Sequence, residues 1–383
     1  MTKVKKELDK KYICGIQQIG VGVNNFHEAW KWYIPNFGMD IRIFEEKAKA
    51  EYMLPHTNNK VWERHACLTV NMQGGGGFEI WQHTQHTPEA PKFELQMGDL
   101  GIFAGKIKSP DVKAAYEHLG KEATLLTGIE KDPAGRDTFY LKDPFNNVWQ
   151  VVHEPSMFMT KYRKPTGGSY GAVIGSTDPD KALVVYQDIL GYDKLVYDVT
   201  GTFDDLSNSG SRGATNGQSG LPGGTGKFRR VLLQHSQPRR GPFSRLFGPS
   251  EIELVQALDR KPEKIFKDRI WGDLGFIHLC FDILNMKALK EECSAKGHPF
   301  TVDSDVHPTG KPFDMGEAAG HFSYIEDPDG TLIEFVETHK IPVSKRMGWY
   351  LDLWKRKDVT RPISDSLLKF LRYMKVKPAS LRG

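Results

Sequence analysis

The sequence predicts an α+β protein made of four βαβββ units in two tandem halves, and three observations predict it. Gly171 to Asp193 lies on Gln18 to Asp40 without a gap, each residue 153 positions from its counterpart, which pairs Asn25 with Asp178, Tyr33 with Tyr186 and Gly38 with Gly191. Two further stretches, at Gly98 and Gly272, both open on Gly-Asp-Leu-Gly and align with each other without a gap. Each of these two ends in a turn and an apolar strand, FYLKDPFNNVWQVVHE in one and FSYIEDPDGTLIEFVE in the other.

Within the first unit, Ile16 to Val23 reads as a strand, and Phe26 to Phe37 carries aromatic and apolar residues at helical spacing until Gly38 stops it. The Tyr170 unit repeats that order. The units at Gly98 and Gly272 each begin with a strand followed by a helix, and Asp327-Pro-Asp-Gly330 supplies the fixed and the positive φ of a tight turn before the strand TLIEFVE. Two units therefore fall in residues 13–160 and two in 166–340, with Lys161 to Ser169 as linker and 341–383 as a helical tail. In that tail, Trp349, Tyr350, Leu353, Trp354, Leu367, Leu368, Phe370, Leu371 and Met374 are expected to dock a helix on the parent domain.

Composition excludes several classes. At 39% apolar and 26% charged residues the chain is globular, and no apolar run is long enough to span a membrane. A net charge of +4 with basic residues spread along the chain argues against a nucleic-acid partner. Cys14, Cys67, Cys280 and Cys293 show no CxxC spacing and are expected as free buried thiols. Met1 to Lys11 is charged and lacks the apolar core of a secretory signal, so a cytoplasmic location is expected. Gly201 to Gly226, rich in Gly, Ser and Asn, leads into Lys227, Arg229, Arg230, Arg239, Arg240 and Arg245; it reads as a solvated loop or as a mobile loop with an anion-binding edge.

The repeated strand ending seven residues before Asn or Asp, the Tyr-bearing helix stopped by Gly, and the closing DPxG and IxExxE strand resemble the vicinal oxygen chelate superfamily of glyoxalases, bleomycin-resistance proteins and extradiol dioxygenases. The resemblance covers all but the two ends of the chain. It implies that each unit curls into half a barrel and that two units close around a metal, with ligands on their first and last strands. The first-strand positions are Gln18, Ala104, Gly171 and His278; the last-strand positions are Glu79, Gln150, Glu253 and Glu334. Closing units one with two and three with four leaves both ligand sets incomplete. Closing one with four assembles Gln18, Glu79, His278 and Glu334, and leaves Gly171, Glu253, Ala104 and Gln150 as a set without function.

That first set resembles the ligands of the glutathione-dependent glyoxalase I family and suits one divalent ion, Zn, Ni, Co, Mn or Fe. The resemblance implies proton transfer beside a chelated carbonyl, with Glu334 as the carboxylate that moves the proton and Glu79 opposite. His83 and His321 are further candidates for the pocket. Where the family clamps glutathione this chain has Gly22, His83 and Leu274, so the expected activity is a metal-dependent lyase or isomerase acting on a small molecule without glutathione. The alternatives are a non-haem iron(II) dioxygenase, which needs two His and one carboxylate, and a small-molecule binding protein of the bleomycin-resistance kind. A monomer is the economical expectation, since one chain holds both partners of the crossed site, with a homodimer the other arrangement.

Overall fold

A computed structural model of the chain describes residues 8–162, 164–207, 220–306, 320–344 and 349–381. The first unit supplies β1 (Tyr12–Gly22), β2 (Ile41–Lys49), β3 (Glu63–Val70) and β4 (Gly77–His83); the second supplies β5 (Gly101–Ser109), β6 (Thr124–Leu125), β7 (Glu130–Lys131), β8 (Asp137–Lys142) and β9 (Val148–His153). The third unit supplies β10 (Ser169–Gly175), β11 (Lys194–Gly201), β12 (Phe228–Gln234) and β13 (Glu251–Ala257); the fourth supplies β14 (Gly275–Leu284), β15 (Val302–Asp303), β16 (Gly320–Glu326) and β17 (Leu332–Thr338).

Neither large sheet belongs to one half of the chain. One runs β15-β16-β17-β14-β1-β4-β3-β2 and joins units four and one; the other runs β11-β12-β13-β10-β5-β9-β8-β6, with β7 on β8, and joins units three and two. The seam of the first sheet is the antiparallel pair β1 and β14, in which Gln18 faces Cys280 and Gly20 faces His278. The parallel pairs β1 with β4 and β14 with β17 then set Glu79 beside Gly20 and Glu334 beside Cys280. The two stretches expected as separate domains, 13–160 and 166–340, thus exchange their sheet partners.

Each unit carries one main helix on the outer side of its sheet: α1 (Phe26–Phe37), α2 (Val112–Leu119), α3 (Pro179–Leu183, continued by a π turn over Val184–Ile189) and α4 (Met286–Ala295). Asn25, Asp111, Asp178 and Asn285 cap their N-termini, each side chain accepting from a backbone N–H three residues on. Gly38, at φ 67°, ends α1 in the left-handed conformation that glycine adopts without strain. Phe26, Ala29, Trp30, Tyr33, Ile34 and Phe37 bury one face of α1, and a single apolar cluster takes in this face and residues of both sheets. Two repeat-related hydrogen bonds cross between the sheets. Tyr33 on α1 donates to Asp143 of unit two at 2.8 Å, and Tyr186 of unit three donates to Asp327 of unit four at 2.8 Å.

The tail differs from the helix expected over 341–383. It begins with a hairpin of β18 (Lys340–Ser344) and β19 (Trp349–Asp352), and continues as short helical turns at Leu353–Lys355, Asp365–Lys369, Phe370–Met374 and Pro378–Ser380. The β-branched Ile341 and Val343 favour the strand, and Pro342, Pro362 and Pro378 interrupt any longer helix. It docks on the body as expected: Leu353, Ile363 and Leu368 are buried in a cluster with Ile41, Val70 and Phe247. All four cysteines are buried and free. Residues 208–219 of the Gly201 to Gly226 loop lie outside the described residues.

Candidate metal centre

The inner face of the first sheet gathers the four predicted ligands at the seam. Along β1 the doubled glutamine is absorbed by a bulge between Ile16 and Gln18, so that Ile16 and Ile19 both enter the apolar core while Gln18 takes the opposite face. Gln18, Glu79, His278 and Glu334 are all buried. His278 Nε2 lies 3.2 Å from Glu79 Oε2 and 3.1 Å from Glu334 Oε2. Gln18 Nε2 lies 3.4 Å from each of the same two oxygens. The ligating atoms of Glu79, His278 and Glu334 fall within 4.8 Å of one another.

This arrangement has the character of a cation site. His278 Nε2 is close to two carboxylate oxygens, yet it makes no hydrogen bond, because neither oxygen lies along the ring N–H. Gln18 Oε1 is likewise buried without a partner, and a half-turn of the planar amide carries it to where Nε2 meets both carboxylates. The donors converge on a shared point instead of pairing among themselves. Burial alone would lower the His278 imidazole, but Glu334 and then Glu79 outweigh it and raise it to about 10. Burial would raise the Glu334 carboxyl; His278, Tyr324 and Cys280 hold it below its ordinary value instead.

A glycine makes room for the histidine. The imidazole lies over Gly20, its cross-strand neighbour, and a Cβ at Gly20 would stand 2.7 Å from the ring. In the second sheet Ala104 replaces His278 and Val173 replaces Gly20, and the two share one apolar cluster. Volume has moved from one strand to the other. The rest of that set is closed by internal charge. Lys106 Nζ bridges Glu251 at 2.8 Å and Glu253 at 2.7 Å; Arg230 Nε meets Glu253 at 2.7 Å and its Nη1 meets Asp205 at 2.7 Å. Gln150 donates to Thr138 at 3.1 Å. Three arginines of the basic stretch are therefore already paired, Arg230 here, Arg229 with Asp180 and Asp198, and Arg245 with Asp365.

Neither His83 nor His321 falls in the cluster of Glu79, His278 and Glu334. His83 follows Glu79 and Trp81 on the same face of β4, but its Nε2 lies 3.1 Å from the Trp271 carbonyl, and burial lowers the ring below its ordinary value. His321 alternates with the inward-facing Phe322 and Tyr324, and on the outer face it meets Asp303 at 2.7 Å and Asp305 at 3.4 Å. Three residues outside the predicted set also border the candidate ligands. Tyr324 donates to Glu334 Oε1 at 2.8 Å, the Trp271 ring lies parallel to His278 within 16° at 6.4 Å, and Trp81 abuts Trp271 at 4.2 Å. Tyr324 could have been found by counting back across the Asp-Pro-Asp-Gly turn, since hairpin register sets it opposite Glu334.

Glyoxalase I from Zea mays has a similar structure, with a TM-score of 0.50 at 10% identity over 85% of this chain and 92% of that one. A candidate dioxygenase from Bacillus subtilis matches with a TM-score of 0.50 at 14% identity, over 85% of this chain and 86% of that one. The chain has the fold of the vicinal oxygen chelate superfamily. No protein-family model and no curated protein matches the sequence. Among the described residues, no helix is long and apolar enough to cross a membrane.

Proposed function

We propose that the protein is a divalent-metal-dependent lyase or isomerase that moves a proton on the carbon next to a chelated carbonyl of a small molecule. The observation that carries this reading is the convergence of two carboxylates, one imidazole and one amide from opposite ends of the chain, with His278 Nε2 and Gln18 Oε1 left without hydrogen bonds. Gln18, Glu79, His278 and Glu334 would hold the ion. When bound, it would draw electron density from the carbonyl and stabilise the charge left when the adjacent carbon loses its proton. One of the two carboxylates beside His278, Glu79 or Glu334, would take up and return that proton. Trp271, Trp81 and Tyr324 exclude water from one side and keep the local dielectric low, which strengthens each of these interactions.

The glutathione-free part of the reading rests on the residues in the clamp positions. Position 22 has no space for any side chain, because a Cβ there would stand 2.0 Å from the Asp273 carbonyl oxygen. His83 is taken up by Trp271, and Leu274 carries no charge. The single imidazole in the cluster favours this chemistry over the two-His, one-carboxylate iron site of a dioxygenase. The test is metal content by mass spectrometry of tag-free protein. Wild type should carry close to one divalent ion per chain, and both His278→Ala and Gln18→Ala should lose it although the residues lie in opposite halves. A wild type that is metal-free and takes up no added Ni, Zn, Mn or Fe would favour the small-molecule binding alternative.

A further inference from the structure

The two carboxylates of the site are not equivalent, and the difference lies on the neighbouring strands. Opposite Glu334 stands Tyr324; opposite Glu79 stands Leu68. The Tyr324 hydroxyl donates to Glu334 Oε1 at 2.8 Å and lies 3.4 Å from His278 Nδ1. Glu334 Oε2 meets Gln18 and His278, so both oxygens of this side chain are engaged. Glu79 uses Oε2 alone on the same two partners; among the described residues no hydrogen bond ends on its Oε1, and Leu68 can offer none. The tyrosine alone is not the distinguishing feature, since the second unit places Tyr140 opposite Gln150, where its hydroxyl has no partner. In unit four the same repeat position meets a carboxylate.

We propose that Tyr324 is a positioning residue that fixes Glu334 as a permanent ligand and leaves Glu79 as the carboxylate free to move and carry the proton. This rests on the function proposed above and reverses the roles that the family resemblance implies for Glu334 and Glu79. A buried carboxylate held at both oxygens must break a strong hydrogen bond before it can turn, whereas one held at a single oxygen turns without that penalty. Reach and chemistry are otherwise matched.

The experiment uses acetohydroxamic acid, a two-oxygen chelator that binds metals as its anion. Below about pH 6, where water on the zinc would not be ionised, its O–H proton must pass either to a carboxylate of the site or to the buffer, and calorimetry of Zn-loaded protein in buffers of different ionisation enthalpy counts the protons released. Wild type should release almost none, because Glu79 takes the proton; Glu79→Gln should release about one per bound ligand, and Glu334→Gln almost none. Combining Glu79→Gln with Tyr324→Phe frees Glu334 and should bring the release back toward zero. Should a glutamine variant lose its metal, aspartate at the same position replaces it in the test, with release expected from Glu79→Asp and not from Glu334→Asp. Release from the Glu334 variant but not the Glu79 variant overturns the assignment, as does a double variant that still releases a full proton. Metal-loaded wild type that releases a full proton overturns this inference and leaves the metal reading intact; a wild type that takes up no metal overturns both.

Discussion

Lys106 gives the most direct test of how the second sheet is closed. Its ammonium, with Glu251 and Glu253, is fully buried, at 2.8 and 2.7 Å from the two carboxylates. Lys106→Met keeps the length of the side chain and removes the charge. Breaking a buried pair by deleting one partner costs about 3 to 5 kcal/mol, because the other charge remains in a medium that solvates it poorly. Here each carboxylate keeps an arginine, Arg136 on Glu251 at 2.7 Å and Arg230 on Glu253 at 2.7 Å, so the lower end of about 3 kcal/mol applies. In a chain of this size that is a fall in Tm of roughly 4 °C. Thermal and denaturant unfolding would measure it, with metal content followed in the same samples. Metal content should not change, since no ligand of the first sheet touches this network. The acid limb should change as well. Burial would raise Glu251, but Lys106 and Arg136 outweigh it and hold it at about 2, so its stabilisation is present above its ordinary 4.5 and lost as pH falls toward 2. Without Lys106 that acid-sensitive contribution shrinks. A cost below about 1 kcal/mol, or loss of metal in step with stability, would refute the view that Lys106 closes the second face independently of the first.

Three further predictions concern the seam and the sheet contacts. His278 is raised from 6.5 to about 10 in the metal-free protein, so its stabilisation is complete below pH 6.5 and is lost as pH rises toward 10. Metal must displace that proton, and calorimetry should find about one proton released per ion at neutral pH, with affinity rising roughly tenfold per pH unit over the same window; a pH-independent affinity would contradict this. Gly20→Ala should force the His278 ring off the strand and weaken metal binding by at least about tenfold, with far-UV circular dichroism unchanged, and a variant with wild-type affinity would show that the ring has room to move. Tyr186→Phe removes the donor at 2.8 Å from Asp327 Oδ2, while Oδ1 keeps its two backbone donors, and should lower unfolding free energy by about 1 to 3 kcal/mol with metal content intact; no loss of stability would mean that this bond does not tie the sheets together.

Much of this was legible in one dimension. The four units, the helix Phe26–Phe37 with its Gly38 stop, the turn at Asp327 to Gly330 and the alignment of Gln18, Glu79, His278 and Glu334 all follow from local rules of period, capping and turn chemistry. The crossed pairing was legible because it alone completes a ligand set, and the sheet order follows it. Short-range patterns could not reach the rest. Whether Arg230 faces an anion or a carboxylate, whether His321 faces the pocket or Asp303, and whether the tail forms a helix or a hairpin depend on partners far away in the sequence. Single-residue shifts of phase mattered equally: the bulge before Gln18 turns that side chain into the site, and strand alternation turns His321 away from it. Sequence spacing specifies which residues can share a strand face; only the assembled sheets specify what stands opposite them, and that is why Tyr324 and Leu68, on strands that carry none of the four ligands, make two like carboxylates different.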